Sequence, residues 1–476
     1  MEHKKLISQR THHQKIKSLL KDAWEAVSGT DQDFTTGSLG RAIFLLSIPM
    51  VLEMIMESVF AVVDIWFVSR LGADAIATVG ITESLITIVY AIAVGLSMAT
   101  AALVARRIGE KKRDAAINAA FQGILAGFLA SLVIAVPGAL YASELLVLMG
   151  ISETIAAEMS VYTAIMLGSN TVIMLLFVIN SVFRSAGDAA ISMRVLWLAN
   201  IANMILDPIL IFGWGPVPAM GIAGAAVATA TGRGLAVAYQ LYVLFFGHGR
   251  IRFMIRQLKF DLKVMVKLIR ISLGGMLQSI IATTSWIFMV RIIAEFGSEV
   301  VAGYTIAIRI VIFSLLPSWG LSNAAATLVG QNLGAEQPAR AERSVWTTGK
   351  ANMLLLGLIG ILFISAPEFF IRLFIDQPSV VHVGAQSLQI ISFGFLAYGL
   401  GMVLVQSFNG AGDTRTPTMI NLVCFWLIEI PLAWFLALKT GLDESGVFLA
   451  IVISETLLTI LAFVLFRKGK WKENRV

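Results

Sequence analysis

Twelve apolar runs, near 42–69, 75–103, 117–140, 160–183, 189–213, 220–246, 264–294, 300–329, 345–367, 385–409, 416–438 and 446–466, constrain this chain more than any motif. A helix rises about 1.5 Å per residue, so a run of about 20 residues crosses the hydrocarbon core of a bilayer. Only 14% of the 476 residues are charged and mean hydropathy is +0.83. An ordinary soluble globule carries about 25% charged residues, so that class is excluded. The expected fold class is an all-α polytopic membrane protein with twelve transmembrane helices. Cys424 is the single cysteine, which excludes a disulfide framework or a cysteine metal site.

Charge placement orients those helices. The net charge is +6, and segments on one side of the predicted membrane hold 30 of the 36 Lys and Arg residues, including 1–41, Arg106–Arg113, Arg250–Arg270 and 467–476. The opposite loops hold only Arg70, Arg372 and Lys439. By the positive-inside rule both termini are expected in the cytoplasm, and the basic residues set topology instead of binding nucleic acid. Residues 1–36 read as a cytoplasmic tail, too long and polar for a signal peptide, with Ile16, Leu19, Leu20, Ala23 and Val27 at the spacing of a short interfacial helix. His12 and His13 there lack the neighbours a metal would need.

The chain repeats itself. GLSMATAALVARRIG, ending the second run, aligns without a gap on GLSNAAATLVGQNLG, ending the eighth, at an offset of 225. The same offset pairs Phe183, Ala186, Gly187 and Asp188 with Phe408, Ala411, Gly412 and Asp413. Six runs plus six, with six even, give two halves of the same orientation about an axis along the membrane normal. The expected boundaries are an N-lobe over 37–247, a basic linker over 248–263, a C-lobe over 264–466 and a tail over 467–476. The Gly-Asp pairs read as turn and helix-cap chemistry.

Acids inside the first run do not repeat. Glu53, Glu57 and Asp64 share one helical face beside Pro49, and intramembrane carboxylates usually face a bundle interior or a watery cavity. In the fifth run Asn200, Asn203 and Asp207 share another face, with Pro208 freeing a backbone carbonyl nearby. Asp64 and Asp207 fall at similar depth. Their oxygens suit a hard cation, sodium included, and the same carboxyl pair could instead share a proton. A hydrogen-bonded clamp between the two helices is the alternative. Of the other intramembrane charges, Arg291 is expected to pair with Glu295, and Arg233, Glu429 and Glu455 to pair between helices. No GxxxxGK[ST] and no HExxH occurs, so ATP-driven pumping and metalloprotease chemistry lack support, and no enzyme is expected.

The proline-bearing first helix with VDIWFVSRLGADAIATVG, the GLSMATAALVARRIG end of the second, FRSAGD followed by NIANMILDPILIFG, and FNGAGDTRTP resemble the multidrug and toxic compound extrusion (MATE) family, over essentially all of 37–466. The resemblance implies V-shaped six-helix lobes around a central cavity, in a monomer of the cell membrane. It implies export of amphipathic, often cationic small molecules in exchange for H+ or Na+, with no other cofactor. Family positions for an N-lobe cation site match Asp64, Asn203 and Asp207, with Asn200 alongside. Glu53, Glu57, Glu83, Asn180 and Arg309 are the pathway candidates, and Pro49 and Pro208 the hinges. The seventh run has no acid in its body and the tenth has Tyr398 where other members carry acids, so coupling is expected in the N-lobe. A flippase for lipid-linked saccharides is the alternative, disfavoured by the acids; a non-transporting scaffold is disfavoured by the polar faces of the first and fifth helices.

Overall fold

The computed structural model describes residues 20–30, 32–247 and 249–474. His12, His13 and most of the expected interfacial helix lie outside them, and within that stretch residues 20–28 are helical (α1). The first six-helix unit contains α2 (Leu39–Ser69), α3 (Ala73–Gly109), α4 (Arg113–Leu140), the short α5 (Ala142–Leu148), α6 (Glu153–Gly168), α7 (Asn170–Ala186), α8 (Ala189–Phe212) and α9 (Ile222–Phe246). The second contains α10 (Leu262–Ile293), α11 (Ser298–Gly334), α12 (Pro338–Ser365), the short α13 (Pro367–Arg372), α14 (Pro378–Ser392), α15 (Phe395–Gly410), α16 (Arg415–Asn421), α17 (Ile430–Lys439) and α18 (Asp443–Arg467).

Ten of these spans are long and apolar enough to cross a membrane, and the bent pair α14 and α15 makes eleven. The sixth run, α9, has 25 residues, long enough to span, and is rich in Ala, Gly and Thr with Arg233 near its middle. Three runs depart from simple helices. The fourth is divided at Ser169 between α6 and α7. The tenth bends by 57° between Ser392 and Phe395. The eleventh widens into a π-helix over Leu422–Glu429, just ahead of Pro431, which cannot donate a backbone hydrogen bond.

Buried apolar side chains form one large cluster in the first unit, extended by Met265, Leu268 and Ile271 of α10, and two inside the second. A fourth joins them: Phe34, Ala42, Leu46 and Met50 pack against Ala324 and Leu328 of α11. The helices at the junction swap sides symmetrically, with α2 packed on α11 and α10 packed on α3. Glycines permit it. A Cβ on Gly95 would lie 2.8 Å from the Met276 backbone nitrogen, and one on its repeat mate Gly320 would lie 2.8 Å from the Val51 nitrogen.

The two Gly-Asp turns differ from each other. Gly187 and Gly412 both take the left-handed conformation, at φ 99° and 80°, as a glycine at a helix end readily does. Asp413 then accepts from the Thr416 N–H (3.1 Å) and hydroxyl, the expected cap chemistry. Asp188 does not cap α8; its carboxylate accepts the Arg250 N–H at 2.8 Å from the segment joining the lobes. That same arginine donates to the Thr30 and Gln32 carbonyls and lies over the Phe34 ring. Arg340 of α12 donates to the Phe34, Thr36 and Gly37 carbonyls. Thr30, Gln32, Phe34, Thr36 and Gly37 are therefore tied to the linker and to the C-lobe, a contact that the boundary drawn at 37 did not foresee.

Candidate functional site

Two helices of the first unit, α2 and α8, lie side by side along their length and carry most of the polar residues singled out above. At one end of the contact Glu53, 1% exposed, accepts from Arg184 of α7 at 2.6 Å. That makes it half of a buried ion pair and removes it from the row of acids expected to face a pathway. A turn further along, Glu57 accepts from the Asn200 amide at 3.1 Å. Trp197 donates its indole N–H to the Leu52 carbonyl at 3.2 Å, fastening the helices together above it.

Asp207 is fully buried, and its surroundings follow from helical spacing. Asn203, one turn before it, turns its amide so that the Nδ2 donates to Asp207 Oδ2 (2.8 Å) and the oxygen accepts from the Thr229 hydroxyl and N–H (both 2.9 Å). The other carboxylate oxygen, Oδ1, is buried with no hydrogen-bond partner. Asp64 is half-buried and lies within Coulombic reach of Asp207. It also feels Glu83 of α3 and Arg233 of α9. Arg233 in turn sits beside the Tyr90 hydroxyl and Glu57.

The structure therefore brings Asp64, Asn203 and Asp207 together and separates the remaining candidates into different settings. Asn200 belongs to Glu57. Asn180 is a packing residue here: its side-chain oxygen accepts from Gln240 at 2.7 Å and its carbonyl from Ser192 at 3.1 Å, inside the bundle of α7, α8 and α9. Glu83 and Arg309 are both exposed and interact electrostatically with each other, one from each lobe. Pro49 and Pro208 lie within continuous helices. Arg291 and Glu295 pair at 3.1 Å as their spacing predicts. Thr229 and Tyr90 were missed by reading the sequence. Thr229 sits one turn before Arg233 and Tyr90 seven residues after Glu83, so helical spacing from an intramembrane charge is the signal that could have found them.

Every donor around Asp207 that could hold a cation is oxygen, which suits a hard ion. The Asn203 oxygen is already occupied twice by Thr229, leaving Asp207 Oδ1 and the Asp64 carboxyl as unused acceptors. That set suffices for a proton. A sodium ion would need further oxygens, since hard metal ions gather about six.

A paired set of membrane-crossing helices, with carboxyls and amides gathered inside an apolar bundle and a charge pair reaching across between lobes, defines a multi-pass membrane transporter. The MatE family model matches residues 49–209 and 275–435, two copies displaced by 226 residues, and the chain belongs to the MATE family. It is 24% identical over 441 residues to the probable multidrug resistance protein NorM of Thermotoga maritima, covering 92% of this chain and 94% of that one. It is 29% identical over 444 residues to the FAD transporter of Shewanella oneidensis, covering 90% and 95%. The crystal structure of a MATE protein in complex with MaL6 superposes with a TM-score of 0.87 at 23% identity, over 92% of this chain and 98% of the other. The fold is thus that of a MATE transporter, with twelve helices in two six-helix repeats, and the protein is not an enzyme.

Proposed function

We propose that this protein exports amphipathic, often cationic small molecules across the cell membrane in exchange for an inward-moving cation, bound in the N-lobe by Asp64 and Asp207 with Asn203 orienting the pair. The observation that carries the reading is the buried Oδ1 of Asp207, without a hydrogen-bond partner among the described residues, while Asp64 lies within Coulombic reach. Two carboxyls so placed share a proton more readily than they both ionise, so H+ is the preferred coupling ion over Na+. Binding of the proton removes a charge from the bundle; its release restores one. Coupling follows because cation and cargo then favour different states of the two lobes by a few kcal/mol.

The exposed Glu83 offers a counter-charge to a cationic cargo, and Arg309 across from it limits how much positive charge can be tolerated. Glu57 and Asp64 on α2, with Glu83 on α3, argue against an anionic lipid-linked saccharide as cargo. The basic loops support cytoplasmic termini, and the chain is read as a monomer.

Proteoliposomes holding the full chain and a fluorescent lipophilic cation test this, with an imposed proton or sodium gradient and FAD as a second cargo. The expected result is proton-driven movement of the dye that Asp207→Asn abolishes without loss of folded protein. Dye movement indifferent to both gradients, or untouched by Asp207→Asn, overturns the reading; movement of FAD alone replaces the cargo class.

A further inference from the structure

We propose that α10 carries a site for one anionic phospholipid, in the leaflet on the side of the basic loops, with the headgroup on Lys263, Lys267 and Arg270 and the acyl chains along the apolar face beside them. These three bases, with Leu262 and Val266, line an open groove of about 480 Å³ at the start of the helix. Lys263 and Arg270 are exposed and Lys267 is half-buried, and none of the three forms an ion pair among the described residues. Glu110 at the end of α3 acts on Lys267, but it is already shared by Arg106 (3.7 Å), Arg107 (2.7 Å) and Lys112 (3.1 Å). Asp261 caps α10, accepting the Lys263 and Val264 N–H groups at 2.9 and 3.2 Å. The first-turn amides are thus satisfied from within the chain, and the side chains leave positive charge in surplus.

Depth puts that charge among lipid headgroups. α10 has 32 residues, a length of about 48 Å, against about 30 Å for the hydrocarbon core, so its first turns project beyond the core. Arg270 lies about 10 Å further along than Lys263, within the reach of a long side chain bending back to the interface. Leu262, Val266, Ile269, Leu273, Leu277 and Ile280 recur at intervals of three and four, each at least 45% exposed, and form a continuous apolar strip. The bases flank this strip on one side, as a headgroup flanks its chains.

The first repeat treats the same position differently. Subtracting 225 sets Ser38, Ala42 and Leu45 against Lys263, Lys267 and Arg270. Ala42 and Leu45 are 0% and 2% exposed, in the cluster that contains Phe34, so the chain covers the start of α2 with its own residues. Ahead of α10 the chain runs along α4 instead, where the Lys259 carbonyl accepts from Asn118 and Gln122. The groove on α10 is therefore left to the bilayer. It also adjoins the lobe junction: a Cβ on Gly275 would lie 2.9 Å from the Gly95 Cα of α3. A lipid held there is a resident of the protein's outer surface and not its cargo.

Native mass spectrometry of the full chain in detergent, titrated with phosphatidylglycerol or phosphatidylcholine of the same acyl chains, tests this. One phosphatidylglycerol should be held about tenfold more tightly than phosphatidylcholine, and Lys267→Gln/Arg270→Gln should remove the difference. Lys263→Gln, at an exposed position, should show a smaller loss and preserves the test if the double variant fails to fold. Arg343→Gln/Lys350→Gln takes the same charge from exposed positions of α12 and should retain the lipid. Equal binding of the two lipids, binding unchanged in the α10 variants, or an equal loss in the α12 variant overturns the proposal. Displacement of the lipid by millimolar glycerol 3-phosphate also overturns it, in favour of a site for soluble anions. No gradient or cargo is involved, so the outcome is independent of the role of Asp64 and Asp207.

Discussion

Gly109 and Gly334, equivalent positions of the two repeats, press together at the ends of α3 and α11: a Cβ on Gly334 would lie 3.0 Å from the Gly109 Cα. Their other neighbours are equivalent too. Gly109 sits against the Gln331 carbonyl and Gly334 against the Arg106 carbonyl, and those two residues are again 225 apart. The pseudo-two-fold axis therefore passes between these glycines, and the lobes touch there backbone to backbone, at the end of the bundle that carries the basic loops.

Substituting Gly334→Val forces this contact apart. Overpacking of this kind costs about 1–3 kcal/mol. A lowered melting temperature of the purified protein checks it, together with faster labelling of a cysteine introduced beside Gly109. Gly80→Ala is the control: a Cβ there meets nothing within 4 Å, and replacing an exposed helical glycine should leave stability unchanged or raise it slightly.

Glu53→Gln breaks the ion pair between α2 and α7 and strands Arg184, which is only 16% exposed. Removing one member of a buried pair costs about 3–5 kcal/mol. Thermal unfolding of Glu53→Gln, Arg184→Gln and the double variant measures the coupling. The double variant should be less destabilised than the sum of the singles; additivity would mean that the pair contributes nothing.

Arg340→Ala removes three hydrogen bonds that fasten residues 34–37 to the C-lobe, while Arg250 still holds residues 30–32 to the N-lobe side. Amide hydrogen exchange across 34–37 is expected to rise at least tenfold, with exchange in α2 beyond its first turn unaltered. Equal exchange in the variant would show that the apolar seat of Phe34 alone holds the segment.

Asp33 provides a pH signature outside the membrane. Burial pushes its carboxyl up, but the Thr35 hydroxyl and N–H, with Lys111 and Arg250 nearby, outweigh that and hold it below the ordinary value of 3.8. A carboxyl depressed in the folded state stabilises fully above its unfolded value and loses that contribution as pH falls through the lower, folded one. Attachment of residues 30–37 should thus be flat from neutral pH down to the mid-fours and weaken below about pH 4, the range where aspartate normally titrates. Limited proteolysis across that range checks it. Asp33→Asn should cleave faster at neutral pH and show a shallower acid response.

Much of the architecture could be read without coordinates because hydrophobic length and internal repetition are local properties. The ungapped match between Gly95–Gly109 and Gly320–Gly334 already contains the symmetry that the lobe junction uses. Likewise the three- and four-residue spacings in NIANMILDP place Asn203 one turn from Asp207, where it binds. Partners from other helices were not legible. Nothing in the first run reveals that Glu53 meets Arg184, or that Glu57 takes Asn200 while Asp64 does not. Asn180 reads as a polar residue in a membrane helix either way, and only Gln240 across the bundle makes it a packing residue.

The sequence by itself determined the span count, the repeat and the faces on which the acids lie, since each follows from the period of one helix. Tertiary structure decided which acid keeps a counter-charge. Arg184 reaches Glu53, Arg233 interacts with both Glu57 and Asp64, and among the described residues no cation forms an ion pair with Asp207. In a medium that cannot solvate charge, that difference separates an acid that holds helices together from one that can take up and release a proton, and it depends on side chains brought together from helices far apart in the chain.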